Sequence, residues 1–139
     1  MAQFSAQGAI IKVTISASPT AIPQVRSMKP PGVTREIADV TTLDSAGNFR
    51  QKLPLMNDTS IYTLELIWDP TNAVHDYLMD QAILATAVLD VFEITYPDTG
   101  AAKLAFSGYI TKFEPDLQHG AVMNAMLEVV VTGAVVYTQ

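Results

Sequence analysis

The chain has 139 residues, of which 49% are hydrophobic and only 16% charged, with a net charge of −6 and no cysteine. A single domain over residues 1–139 is predicted at this length, and the lack of cysteine excludes disulfides, thiolate zinc sites and cysteine nucleophiles. Net acidity without a concentrated basic face argues against nucleic-acid binding, and no signal peptide or transmembrane helix is predicted.

Alternation of apolar and polar residues predicts three strands in the first half of the chain. Ile11, Val13 and Ile15 alternate with polar residues and predict the first strand. Four prolines between residues 19 and 31 then indicate an irregular or edge segment around residues 22–28. A weaker alternation predicts a strand over residues 35–42, and a strong one predicts a strand over residues 61–68.

Residues 42–60 are predicted to form a long loop between these last two strands. A turn is expected at Ser45-Ala46-Gly47-Asn48, and the apolar residues that follow it show no helical period. Loops of this length are usually functional or disordered.

One α-helix is predicted in the stretch WDPTNAVHDYLMDQAILAT, residues 68–86. Asp69 is a candidate N-cap, and Pro70 suits the first helical position, where its missing N–H would have no partner. The apolar stripe of this helix should face a sheet, and it consists of Val74, Tyr77, Leu78 and Ala82.

Three further strands are predicted over residues 88–96, 103–113 and 121–136, arranged as a meander. One helix among six or seven strands predicts a mainly β fold. The expected architecture is an antiparallel β-sandwich or barrel with one flanking α-helix.

No group of residues has the spacing of an active site or a metal site. His75 and His119 are each predicted to be surface histidines, since neither has a partner at metal-ligand spacing. Asp76 and Asp80 form a like-charge pair on a helix face, which is expected to be solvated. No catalytic residue, metal site or cofactor is therefore predicted, and the protein is not expected to be an enzyme.

The charges are few and unevenly distributed. Residues 1–52 hold six cations and three anions, whereas residues 53–102 hold eight anions and no cation. Few charges indicate surface hidden against partners, and segregated charges favour contact between unlike surfaces of identical subunits. The alternatives are a domain that is merely apolar and a fold that mixes the two halves.

Two stretches carry a resemblance to a known family. The first is FSGYITKFEPDLQHGAVMNAMLEVVVTGAVVY. It begins with a strand in which a small residue, a glycine and an aromatic residue follow one another. A connection and a long strand with T-G near its end come next. The second is DVTTLDSAGNFRQKLP. It contains the end of a strand, D-V-T-T, then a turn of small residues, and then a segment of basic and apolar residues that leads back. With the W-D-P start of the helix, these stretches resemble the major tail tube proteins of long-tailed, siphovirus-like bacteriophages, over residues 32–137.

The resemblance implies a structural subunit of a phage tail tube. Such subunits form hexameric rings that stack into a hollow conduit, through which DNA is delivered into the host cell. The loop at about residues 42–60 would reach the neighbouring ring; the alternative is a flap over the core of its own subunit. The residues expected in the inter-ring contact are Asp44, Phe49, Arg50, Lys52, Leu53, Leu55 and Met56.

The channel of such a tube is expected to be acidic, so that phosphate is repelled and DNA slides. The candidates for lining it are Glu36, Glu65 and Glu128. The implied partners are other copies of the chain, the tape measure, the tail terminator and the tail tip, with DNA only in passage and no membrane. The implied location is the virion tail, with assembly in the host cytoplasm.

Four other readings remain open on the sequence alone. A tube subunit of a contractile tail or of a secretion system would share every physical feature above, and a tail-completion ring protein is a third related possibility. A carbohydrate-binding β-sandwich belongs to a different class. It would need exposed aromatic residues, and Trp68 lies on the apolar side of its predicted strand.

Overall fold

Seven antiparallel strands form one curled sheet in the part of the chain that the computed structural model describes, namely residues 5, 7–44, 47 and 49–139. The strand order of this main sheet is β2-β1-β7-β8-β9-β6-β3. Its strands are β1 (Ile10–Ile15), β2 (Ser18–Ala21), β3 (Val25–Lys29), β6 (Tyr62–Ile67), β7 (Asp90–Thr95), β8 (Lys103–Asp116) and β9 (Asn124–Thr138).

The remaining elements lie outside the main sheet. Strands β4 (Val33–Asp39) and β5 (Lys52–Thr59) pair only with each other, and helix α1 (Ala73–Ile83) packs against β8. This arrangement confirms the predicted antiparallel, mainly β fold with one flanking helix. The meander of the last three strands is also confirmed, because β7, β8 and β9 are sequential neighbours in the sheet.

The core lies on one face of the main sheet, which we call the core face, and α1 covers it. In β6, Tyr62, Leu64 and Leu66 are buried while the residues between them are half-buried, as expected for a strand with one face in a core. Leu78 of α1 is fully buried against this face. Three aromatic rings pack at its centre with centroids 5.2–6.3 Å apart, and they belong to Tyr62, Phe92 and Phe106.

The helix starts three residues later than predicted. Asn72 is the N-cap, and its Oδ1 accepts hydrogen bonds from the N–H groups of Val74 at 2.9 Å and His75 at 3.3 Å. Residues 69–72 form a β-turn instead, in which the N–H of Asn72 donates to the carbonyl of Asp69 at 3.0 Å. Asp followed by Pro is favoured at the first two positions of such a turn, which explains why the helix does not begin at Pro70.

The prediction that His75 lies on the surface is wrong, because this side chain is fully buried. Its Nδ1 accepts a hydrogen bond from the N–H of Asp69 at 3.0 Å, and its Nε2 donates one to the carbonyl of Pro23 at 2.9 Å. These two partners fix the neutral ring with its proton on Nε2. His119 is exposed, as predicted.

The prediction of a loop throughout residues 42–60 is also wrong, because most of its second half is strand β5. Strands β4 and β5 form a β-hairpin that leaves the main sheet at one point. At its root, the N–H of Gly32 donates to Oγ of Ser60 at 2.7 Å, and the N–H of Ser60 donates to the carbonyl of Gly32 at 2.9 Å. The expected turn at 45–48 lies outside the described residues except for Gly47, which has a φ of 67°.

Candidate assembly surfaces

The hairpin of β4 and β5 presents apolar side chains on both of its faces. Ala38 pairs with Leu53, and Ile37 with Pro54; these pairs lie on opposite faces because successive residues of a strand alternate. A two-stranded hairpin is marginally stable in water by itself. Its exposed apolar residues therefore form a surface suited to being covered, and they include Val33, Ile37, Val40, Leu53, Leu55 and Met56.

All seven residues predicted for the inter-ring contact lie on this hairpin and are exposed. Asp44, Phe49 and Arg50 lie between its two strands. The other four lie in β5, where Leu55 and Met56 form a β-bulge opposite Glu36. The hairpin thus brings the set together, with Phe49 78% and Met56 84% exposed.

The cations of the hairpin have partners within the subunit. Nη1 of Arg50 lies 3.6 Å from Oδ2 of Asp39, and both side chains are well exposed. Hydrogen bonds from the Thr41 side chain and its N–H lower the pKa of Asp39, so this carboxylate stays charged. Exposed ion pairs of this kind contribute little stability. Arg50 is consequently free to exchange Asp39 for a carboxylate on another subunit.

Two of the three predicted channel residues share the face of the main sheet opposite the core, which we call the outer face. Glu128 lies across from Thr63 and Lys112, while Glu65 lies across from Met126. The third, Glu36, lies in β4 opposite the bulge in β5, outside the main sheet. The structure therefore brings Glu65 and Glu128 onto one face and leaves Glu36 apart from them.

Carboxylates and cations are interleaved on the outer face. Lys112 lies 2.9 Å from Glu114, and this carboxylate, with a smaller effect of Glu128, raises the pKa of the lysine. Arg26 lies 4.0 Å from Glu65, and Lys103 lies 3.8 Å from Glu93. Glu128 has no ion pair within 4.0 Å among the described residues. This face is less uniformly acidic than the sequence predicts.

A second exposed apolar surface follows α1, and the sequence analysis missed it. The seven residues 83–89 have the sequence ILATAVL, and every one is exposed. We call them the apolar segment. The predicted helix extended to residue 86 and absorbed most of this stretch, but α1 ends at Ile83. The signal that could have identified the segment is a run of seven residues without one charge.

Within the described chain, no three His, Asp or Glu side chains cluster closely enough to hold a metal ion. In that part of the chain, no helix is both long and apolar enough to cross a bilayer.

A sequence model of the family described as lambda phage tail tube protein, TTP, matches residues 4–138. The chain belongs to the lambda phage tail tube protein family. Tail tube proteins are structural components of virion tails. No curated protein matches this tail tube protein.

Solved structures with the same fold come from several tail-like particles. A chain from the tail of an empty GTA particle, refined with C6 symmetry, is 20% identical, with a TM-score of 0.75 over 99% of this chain and 100% of that one. A chain of the anti-feeding prophage baseplate is 10% identical, with a TM-score of 0.77 over 99% and 97%. A chain from the sheath/tube terminator of an extracellular contractile injection system, PVC, is 11% identical, with a TM-score of 0.76 over 100% and 99%. At these identities the likeness shows a shared fold.

Proposed function

We propose that this tail tube protein forms hexameric rings, and that these rings stack into a hollow tube through which DNA passes into the host cell. Membership of the lambda phage tail tube protein family supports the tube. The C6 symmetry of the GTA tail and the six-fold symmetry of the anti-feeding prophage baseplate support a ring of six.

The β4–β5 hairpin is the observation on which the stacking proposal rests. It leaves the main sheet through a single root, and its apolar residues are exposed on both faces. A flap over its own core would bury one of those faces, yet all described residues of β4 and β5 except Ala38 and Thr59 are exposed. We propose that the hairpin is an arm that reaches the neighbouring ring, with the seven residues from Asp44 to Met56 in the contact.

The outer face of the main sheet is the proposed wall of the channel. Glu65 and Glu128 lie on it, and Glu128 has no ion pair within 4.0 Å in the described chain. An unpaired carboxylate on the wall repels the phosphates of a passing DNA and so limits adhesion. Glu36 remains a channel candidate only if the hairpin also borders the lumen.

The remaining partners follow from the place of a tube in a tail. A stack of rings needs a tape measure inside it, a terminator at one end and a tip at the other. DNA is in contact only during passage, and no membrane contact is proposed. We place assembly in the host cytoplasm and the finished protein in the virion tail.

The test is electron microscopy of the purified protein, combined with sedimentation over a hundredfold concentration range. Rings or tubes are expected for the wild-type chain. Deletion of residues 47–52 removes the tip of the hairpin and should abolish tubes while leaving thermal unfolding of the monomer nearly unchanged. A wild-type chain that stays monomeric throughout contradicts the tube, and normal tubes from the deletion variant contradict the arm.

A terminator or a contractile-tail tube is the second candidate function. The TM-scores with the PVC terminator and the anti-feeding prophage baseplate are 0.76 and 0.77, close to the 0.75 with the GTA tail. A terminator should give single rings that do not stack, so microscopy distinguishes it from a tube subunit. A contractile-tail subunit should bind a sheath protein along the outside of preformed tubes.

A further inference from the structure

We propose that the apolar segment, residues 83–89, is the docking site for the hairpin of another copy of this chain. The proposal rests on the proposed function, in which the hairpin is an intersubunit arm, and it adds the surface that receives that arm.

The apolar segment is held in place at both ends. At its C-terminal end, Oδ1 of the buried Asp90 accepts hydrogen bonds from the hydroxyl of Tyr77 and from Nε2 of Gln81, each at 2.8 Å. Nε2 of Gln81 also donates to the Tyr77 hydroxyl at 2.7 Å. Tyr77 and Gln81 belong to α1, so the end of the helix is tied to the start of β7. The apolar segment connects the end of α1 to the start of β7, so both of its ends are fixed. It is therefore preorganised, which lowers the entropy lost when a partner binds.

All residues of the apolar segment are exposed, and none carries a charge that would keep the segment solvated. Ile83 is 70% exposed and Val88 is 52% exposed. Contiguous exposed apolar residues of this kind mark interaction sites. The hairpin also carries exposed apolar side chains, among them Leu53 and Leu55.

Charge favours the hairpin as the occupant. The face of α1 that leads to the apolar segment carries the exposed Asp76 and Asp80, and the last turn of the helix has no basic residue. The tip of the hairpin carries Arg50 and Lys52 among exposed apolar side chains. Apolar side chains can therefore dock on the segment while the adjacent cations meet the acidic helix face, an arrangement that fixes orientation.

The two surfaces differ, so their contact is heterologous. Each subunit has one hairpin to offer and one apolar segment to receive, and a contact of this type continues from copy to copy until it closes or extends. Such propagation is what stacked rings require, and a two-fold dimer would not supply it.

Disulfide crosslinking tests the docking site with little background, since the chain has no cysteine of its own. Leu53→Cys with Val88→Cys places one thiol on the hairpin and one on the apolar segment, at residues 50% and 52% exposed. The matched control is Leu53→Cys with Leu117→Cys, because Leu117 is an apolar residue 64% exposed in the β8–β9 connection. Assembled material is oxidised with diamide and run on a denaturing gel without reductant.

A ladder of covalent multimers is expected from the Leu53–Val88 pair, because a disulfide forms only when the two Cα atoms come within about 7 Å. The control pair and each single variant should give at most a trace of dimer. Tubes that form without a Leu53–Val88 ladder overturn the docking site and leave the proposed function standing. A ladder from the control pair of equal intensity overturns it too. A chain that never assembles contradicts the proposed function and the docking site together.

Discussion

Gly108 in β8 approaches Val130 in β9 so closely that a Cβ atom on the glycine would lie 2.6 Å from the Val130 carbonyl oxygen. The same Cβ would lie 2.7 Å from Cγ1 of Val129. Because the oxygen belongs to the backbone, no rotamer change relieves the contact, and the strands must separate.

We predict that Gly108→Ala lowers the free energy of unfolding by about 1–3 kcal/mol, as overpacking of a filled site does. Denaturant unfolding of the monomer measures it. The control is Gly100→Ala, at an exposed turn where the nearest atom would be 3.5 Å away. Equal losses from the two variants would contradict the steric argument.

Tyr62→Phe should not weaken the subunit. The hydroxyl of Tyr62 is buried and has no hydrogen-bond partner among the described residues. Removing an unsatisfied buried polar group is neutral or stabilising, so the free energy of unfolding should stay level or rise by up to about 1 kcal/mol. A clear decrease in the free energy of unfolding would show that the hydroxyl has a partner, such as a buried water.

Alkaline pH should destabilise the wild-type subunit more than Tyr62→Phe. Burial raises the pKa of Tyr62 well above its ordinary value of 10.0. Burial and then Asp90 raise the pKa of Tyr77 as well. The folded state holds these protons more tightly than the unfolded state, so the stabilisation is complete below pH 10 and is lost as the pH rises above it. Melting temperatures between pH 8 and 11 should fall more steeply for wild type, and parallel curves would refute this.

His75→Leu should destabilise the subunit, although leucine fits a buried position. The N–H of Asp69 and the carbonyl of Pro23 would both lose their partner. An unsatisfied buried group costs about 1–3 kcal/mol, and we expect a loss in that range. His119→Leu, at an exposed position, is the control and should change stability by less than about 0.5 kcal/mol. The two variants are compared by chemical denaturation.

Reversing both cations of the hairpin tip should block assembly without unfolding the monomer. Arg50→Glu with Lys52→Glu removes one exposed ion pair with Asp39, which contributes at most about 1 kcal/mol. Against an acidic surface on another copy, the reversal creates like-charge contacts that repeat around the ring. The neutral pair Arg50→Gln with Lys52→Gln should give an intermediate effect in sedimentation. Normal tubes from the reversal variant would exclude a charged contact.

Strands of this chain could be predicted from the sequence where the subunit buries one of their faces. In β6 the core takes Tyr62, Leu64 and Leu66, so selection leaves a period of two in the sequence. The same alternation placed Glu65 and Glu128 opposite the core. In β5 neither face is buried by the subunit, and apolar residues such as Leu55 and Met56 follow one another without a period. The sequence of β5 therefore predicts a loop, although the segment is a strand.

The other differences between the predicted and the observed structure arise from contacts between segments that are distant in the sequence. His75 lies off the apolar stripe of α1, and its burial depends on the Pro23 carbonyl, 52 residues earlier in the chain, which accepts a hydrogen bond from its Nε2. No local pattern reveals such a partner. The bulge beside Glu36 is likewise invisible to periodicity, which is why this residue was grouped with two glutamates from which the fold separates it.

The paired hydrogen bonds between Gly32 and Ser60 make the hairpin a removable module. Everything from residue 33 to residue 59 can lengthen, shorten or change its chemistry without shifting the register of any strand in the main sheet. Two related tubes could therefore differ in the spacing of their rings and in which subunits stack on each other, while the main sheet stays the same. Exchange of this one segment between relatives should transfer the choice of stacking partner along with it.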